Sequence, residues 1–146
     1  MNFPRILKKR KGYIDRIKPF MQKSVAKVLT GQRRVGKSFL LYQLIEEILA
    51  EEPDANIIYV NLEDFTFSSL QTAEDLHSYI ISHSKEKVKN YIFIDEIQDI
   101  PGFEKVIRSL LLNEDNDIYI TGSNAKMLSG ELATYLSGRY IAVSYT

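Results

Sequence analysis

Gly31-Gln32-Arg33-Arg34-Val35-Gly36-Lys37-Ser38 follows an apolar, β-branched run at Val25 to Thr30 and precedes a stretch where Phe39, Leu40, Leu44, Ile45 and Ile48 recur at helical spacing. The octet satisfies G-x-x-x-x-G-K-[ST], and a strand before it with a helix after it is the context in which that pattern has physical meaning. Two glycines let the backbone fold back, so that consecutive N–H groups face one concavity at a helix N-terminus and can surround a phosphate. Gly31, Gln32, Arg33, Arg34, Val35, Gly36, Lys37, Ser38 and Phe39 are therefore the expected nucleotide-binding residues. Lys37 is expected to reach the β- and γ-phosphates as a compact cation, and the Ser38 hydroxyl to ligate the bridging Mg²⁺. The competing reading is a glycine turn that happens to carry a lysine; the flanking strand and helix argue against it. Arg33 and Arg34 either add positive potential to the loop or lie in solvent or beside acids elsewhere.

Working outward, further strand-like runs stand at Ile57 to Leu62, Tyr91 to Ile94, Ile118 to Thr121 and Tyr140 to Tyr145. Between them, Leu76, Tyr79 and Ile80, and then Val106, Ile107, Leu110 and Leu111, keep the three-and-four spacing of helix faces. Thr72 with Asp75 resembles a capping box, and Pro53 should end the helix that starts in the glycine loop. Strand and helix alternating along the chain predict an α/β fold, a mostly parallel five-stranded sheet with helices on both faces. Near-continuous apolar strands such as Tyr91 to Ile94 suit burial on both sides.

The third strand runs straight into Asp95 and Glu96. Ligands of open α/β sheets bind at the C-terminal strand edge, so Asp95 is expected to hold the Mg²⁺ through a water and Glu96 to polarise a water for in-line attack. Alternatively the two acids only begin a loop or cap a helix. A carboxylate that activates water favours hydrolysis over phosphoryl transfer to a bound acceptor. Ile120-Thr121-Gly122-Ser123-Asn124 ends the fourth strand; if that strand lies between the first and third, a polar side chain there can touch the γ-phosphate or the water. Ser123 is favoured, Thr121 and Asn124 stand close behind, and capping of a helix from Ala125 to Leu136 is the alternative. Arg139, before the fifth strand, is either a finger for transition-state charge, in cis or on a neighbouring copy, or a surface arginine.

The 146 residues contain no cysteine and two histidines, and 45% are apolar. Disulfides and thiolate metal sites are excluded, and His77 and His83, six apart, are poorly spaced for a shared metal and read as solvated. No apolar run approaches the ~18 residues of a membrane span, which makes the cytosol the expected location. The net charge is zero, yet Met1 to Lys37 holds 12 Lys and Arg against one acid, Asp15, leaving the remainder equally acidic. A basic lead-in of this kind points either to a polyanion such as nucleic acid or to a merely solvated segment. Within residues 1–24, Ile14, Ile17, Phe20 and Met21 form a helical stripe that Pro19 should break or kink. The stripe either packs on the core, or is mobile or docks on something else.

Taken together, Val28 to Ser38, Ile94-Asp95-Glu96-Ile97-Gln98, Ile120 to Asn124 and Leu136-Ser137-Gly138-Arg139-Tyr140 resemble the AAA-type ATPases of bacteria and archaea known as AAA_14, whose members commonly carry a DUF4143 C-terminal region. The resemblance spans nearly the whole chain. It implies a three-layer P-loop NTPase of the additional-strand catalytic-glutamate type with sheet order 5-1-4-3-2, and ATP as the nucleotide. It also implies a core, residues 25–146, that stops short of the family's C-terminal region, so that hydrolysis would drive change in a larger protein. A switch or scaffold with slow hydrolysis and a nucleic-acid-dependent ATPase remain alternatives, with an unidentified protein or a second copy of the chain as partner.

Overall fold

The computed structural model describes residues 11–21, 23–31, 36–123, 132, 134, 136 and 138–144. The expected helix from Ala125 to Leu136 falls largely outside them, as do Met1 to Arg10, Gln32 to Val35 and Asn124. Five strands form one parallel sheet: β1 (Ala26–Thr30), β2 (Asn56–Asn61), β3 (Asn90–Asp95), β4 (Asn116–Gly122) and β5 (Tyr140–Ser144). Their order is β2-β3-β4-β1-β5, the order the resemblance implies. The strands run one to two residues past the apolar blocks in several places. Asn56, Asn90 and Asn116 begin β2, β3 and β4; Asn90 and Asn116 are buried although polar, because their amides bond backbone groups of Lys85 and Leu110.

Pleating sorts the strand side chains onto two faces. Even-numbered residues, among them Val28, Ile58, Val60, Ile92, Ile94, Ile118 and Ile120, pack against α3 (Ala73–His83) and α4 (Phe103–Leu110), with Leu132 and Leu136 in the same cluster. Odd-numbered residues, among them Leu29, Phe93, Tyr119 and Val143, pack against α1 (Lys11–Ile17) and α2 (Lys37–Glu51). Each Leu or Ile so buried contributes about 1.5–3 kcal/mol, and this two-sided burial is what makes β3 and the middle of β4 read as continuous apolar runs, whereas β1 is equally buried but carries Lys27.

Local chemistry sets the helix ends. Thr72 and Asp75 form a complete capping box at the start of α3, worth about 1 kcal/mol. α2 ends at Glu51, two residues before Pro53. Pro19 ends α1 at Ile17 and leaves a single 3-10 turn, Lys18–Phe20. Ile14 and Ile17 are buried against α2 and the sheet, so the described part of the N-terminal stripe packs on the core. Phe20 departs from the expectation: the 3-10 turn rotates it off the buried side and it is 37% exposed.

Candidate active site

β1 delivers the chain to Gly31, whose N–H donates to the Gly122 carbonyl at 3.3 Å, tying the start of the glycine loop to the end of β4. The loop re-enters the described structure at Gly36, the N-cap of α2, with φ 96°, a conformation that any side chain would strain. Gly36 carries no capping side chain, and the first intrahelical bond runs from Leu40 N–H to the Gly36 carbonyl at 3.1 Å. The first N–H groups of α2 thus lack an intrahelical acceptor at the positive end of a 15-residue helix, an arrangement suited to an anion. Gln32, Arg33, Arg34 and Val35 lie outside the described residues. Phe39 turns its ring to solvent, edge-on to Tyr42 at 6.2 Å, so at most its backbone serves a phosphate.

The pleat then decides what faces α2. Tyr59 of β2, Asp95 of β3 and Thr121 of β4 are all odd-numbered and lie on the α2 side. Asp95 is 1% exposed and accepts hydrogen bonds from three hydroxyls: Ser38 at the start of α2, Thr121, and Tyr59 at 3.1 Å. Burial, then the Asp95 charge, push the Tyr59 phenol far above its ordinary value, so it stays a donor. Thr121 also receives the Glu96 N–H at 3.0 Å, which pins the turn leaving β3 to β4.

Glu96 leaves the strand in the left-handed conformation, φ 60° and ψ 49°, unusual for a residue with a side chain and typical of functional turns. One carboxylate oxygen, Oε1, lies 3.5 Å from Lys37 Nζ. The other accepts from Gln98 Nε2 at 2.6 Å and from Ser123 Oγ at 2.9 Å. Burial works against the Glu96 charge, but the bonds from Gln98 and Ser123 and the Lys37 cation outweigh it and hold the carboxyl below its usual range. Lys37 Nζ also donates to the Gly31 carbonyl at 2.7 Å, folding the lysine back over its own loop.

The structure brings together Gly31, Gly36, Lys37, Ser38, Asp95, Glu96 and Ser123, and sets Thr121 beneath them. It does not bring Arg139. The Ala26 N–H donates to the Arg139 carbonyl at 3.0 Å, which fixes Arg139 at the entry edge of β1. Gly31 is at the exit edge, about 16 Å away at ~3.3 Å per residue. Arg139 therefore precedes β5 at the end of the sheet opposite the glycine loop. His83 stacks on Tyr79, and His77, half-buried rather than fully solvated, meets Ser109 Oγ at 3.4 Å.

Two residues of the site had no role in the sequence reading, Tyr59 and Gln98. Tyr59 carries a faint signal, an odd position two residues from the end of its strand; Gln98 is legible only as the last residue of the Ile94 to Gln98 stretch that carries the family resemblance, with no role attached.

Whether Mg²⁺ suits this site follows from the donor set. Ser38 and Asp95 present hard oxygens already in contact, and among the described residues no group of three or more His, Cys, Asp or Glu could cage a metal without a ligand's help. One carboxylate and one hydroxyl beside a phosphate cradle fit a hydrated Mg²⁺ that takes its other ligands from phosphate and water. A groove of about 510 Å³ between Lys18 and the Glu47, Glu51 and Glu52 side of α2 lies elsewhere, along Tyr91 at the opposite end of the sheet, and shares no residue with this site.

A parallel sheet with β4 between β1 and β3, and a helix springing from a glycine loop after β1, defines a P-loop NTPase of the additional-strand type. Residues 23–146 match AAA_14, an AAA domain, and the chain belongs to that family. It is 41% identical over 141 residues to an uncharacterised protein of Haemophilus influenzae, covering 92% of this chain and 34% of that protein. A second uncharacterised protein, from Methanocaldococcus jannaschii, is 38% identical over 114 residues, 77% of this chain and 24% of that protein. The chain thus spans about a third of one relative's length and a quarter of the other's. Among solved structures, Caenorhabditis elegans PCH-2 superposes with a TM-score of 0.64 at 13% identity, covering 100% of this chain and 44% of that one, a likeness of fold. Family membership makes the chain an ATPase-type, nucleotide-dependent domain. Among the described residues no helix is long and apolar enough to cross a membrane.

Proposed function

We propose that the chain is the Mg²⁺-dependent ATP-binding and ATP-hydrolysing core of a larger cytoplasmic protein, in which hydrolysis drives a conformational change. The observation that carries this reading is the convergence of two short links, Ser38 with Asp95 and Lys37 with Glu96, at one uncapped helix N-terminus. Lys37 would exchange the Gly31 carbonyl and Glu96 for the β- and γ-phosphate oxygens, which are stronger acceptors of a cation. Ser38 and Asp95 would hold Mg²⁺, which when bound neutralises charge on the phosphates. With Lys37 withdrawn, Glu96 Oε1 faces the phosphates and can take a proton from water. The water oxygen bonds to the γ-phosphorus, the bond to the β,γ-bridging oxygen breaks, and ADP leaves with that electron pair. Ser123, bonded to the base and at the end of β4, is suited to report the γ-phosphate to Glu96.

Part of the basic lead-in is engaged within the chain, which leaves less of it for a nucleic acid. Of the cations in the basic first 37 residues, Lys18 lies 3.7 Å from Glu47, Lys27 pairs with Asp117, and Lys37 belongs to the site. A protein partner and association of several copies fit better: Arg139, kept from its own site, would serve the nucleotide of a neighbouring copy. The test is Glu96→Gln in the full-length protein: ATP binding stays within about twofold while hydrolysis falls by about 10²–10⁴. Hydrolysis at the original rate would remove Glu96 from the role of base. Turnover near the uncatalysed level in the unaltered protein, with tight nucleotide binding, would favour the switch.

A further inference from the structure

Gln98 takes no part in the chemistry above, yet it is the residue most closely engaged with Glu96. It is the middle residue of the 3-10 turn Ile97–Asp99 that follows β3, and its neighbours fix it there. Ile97 is 0% exposed and Ile100 2% exposed, both in the core under α3 and α4, and the Ile100 N–H donates to the Ile97 carbonyl at 3.0 Å. With its backbone held on both sides, Gln98 lays its side chain back across the Glu96 carboxylate.

The contacts form a closed triangle. Gln98 Nε2 donates to Glu96 Oε2 at 2.6 Å and to Ser123 Oγ at 3.2 Å, and Ser123 Oγ donates to that same Glu96 oxygen at 2.9 Å. Which end of the amide faces Glu96 is settled by chemistry, because a carboxylate only accepts and so must meet the NH₂ group. The other end, Oε1, is then buried without a partner among the described residues. A glutamine free to choose would turn that oxygen toward a donor, since an unmet buried acceptor is costly. Its orientation is therefore dictated by Glu96.

We infer that Gln98 is a positioning residue for the hydrolytic base: its amide clamps Glu96 Oε2 against Ser123, leaving Oε1 as the oxygen that faces Lys37 and the phosphate side. The clamp divides the carboxylate between two tasks. One oxygen is held by β4 through Ser123 and by the turn through Gln98, and the other is left for water once the lysine moves. It also links Ser123, just after β4, to Glu96, just after β3, through one side chain.

This rests on the reading of Glu96 as the base, and the experiment separates the two. Gln98→Met and Gln98→Glu are compared with the unaltered full-length protein in kcat, KM and the Kd of a fluorescent ATP analogue. Both should lose about 10- to 100-fold in kcat while the Kd moves by less than about twofold. The Glu variant is the sharper arm: its shape is nearly that of Gln, but it sets an acceptor against an acceptor, so a packing role alone would leave it near the original rate. Without nucleotide, thermal stability should show coupling, with Gln98→Met and Ser123→Ala together shifting Tm by less than the sum of the single shifts. Unchanged kcat in either variant, a Kd that weakens in step with kcat, or additive Tm shifts would overturn the clamp. If Glu96→Gln keeps its activity, the base assignment fails; if Glu96→Gln is inactive and Gln98→Glu is not, only the clamp fails.

Discussion

Among the described residues two buried lysine–carboxylate pairs stand at opposite ends of the sheet, and they are built on opposite principles. At the entry end, Lys27 of β1 meets Asp117 of β4; both side chains are 0% exposed. Nothing there is left open: Lys27 also donates to the Lys23 carbonyl at 3.0 Å and lies 5.1 Å from the Tyr119 ring centroid, while Tyr119 donates to Asp117 at 2.7 Å. At the exit end, Lys37 and Glu96 are separated by 3.5 Å, and the described groups around them, a loop carbonyl, a glutamine amide and a serine hydroxyl, are ones a phosphate or a water can replace. Burial is similar at both ends, 3% and 7% exposure at the second pair, so burial does not separate structure from function here. What separates them is whether the partners are exchangeable.

The largest effect should come from breaking the closed pair. Lys27→Met alone strands the Asp117 charge in the interior and should cost about 3–5 kcal/mol in chemical denaturation. Adding Asp117→Leu should recover most of that loss. Burial holds the Lys27 ammonium below its ordinary value, with Asp117 offsetting this only in part, and a buried pair replaced by apolar side chains often costs nothing. Should the double variant stay as unstable as the single one, the network would be carrying the fold after all.

At the open pair the same kind of change should act on ligand rather than on fold. Lys37→Met should abolish measurable ATP binding in a fluorescence titration yet alter stability by no more than about 1 kcal/mol, because Glu96 keeps Gln98 and Ser123. A stability loss matching that of Lys27→Met would erase the distinction between the two ends.

Tyr59→Phe removes one of three hydroxyls from Asp95 and should cost about 0.5–1.5 kcal/mol of stability. It should also raise the Mg²⁺ concentration needed for half-maximal hydrolysis. An unchanged Mg²⁺ titration would make Tyr59 a packing residue.

The smallest effect is a pH dependence. The folded-state Glu96 carboxyl lies below its ordinary value of 4.5, so its contribution is whole above that pH and disappears as pH falls through the folded value. Glu96→Gln lacks this titration. Its Tm relative to the unaltered protein should be constant near neutrality and shift in favour of the variant below about pH 4.5. A constant difference down to pH 3 would mean that Gln98, Ser123 and Lys37 do not stabilise the charge.

The comparison also shows where sequence reading works. The glycine loop, Ser38, Asp95 and Glu96 are legible because each signal is local: an octet, a strand end and a turn span a few residues whose geometry the chain itself imposes. The capping box at Thr72 and the stop at Pro53 are of the same kind. Lys27 could be read only as one more cation in a basic lead-in, because its partner Asp117 is 90 residues away. Tyr59 had no legible role, and Gln98 was legible only as part of a motif, because what each does depends on groups that a neighbouring strand presents, Asp95 to Tyr59 and Ser123 to Gln98.

By itself, then, the sequence determined the alternation of strands and helices, the two faces of each strand and the phosphate loop, since pleat and helix periodicity act over a few residues. Only the tertiary structure decided which lysine meets which carboxylate, that Arg139 lies at the far end of β1, and that Gln98 grips Glu96. Those outcomes depend on strand order and register. Register sets Asp95 beside Thr121 and puts Lys27 beside the Tyr119 of β4, and it is fixed by the packing of both sheet faces at once.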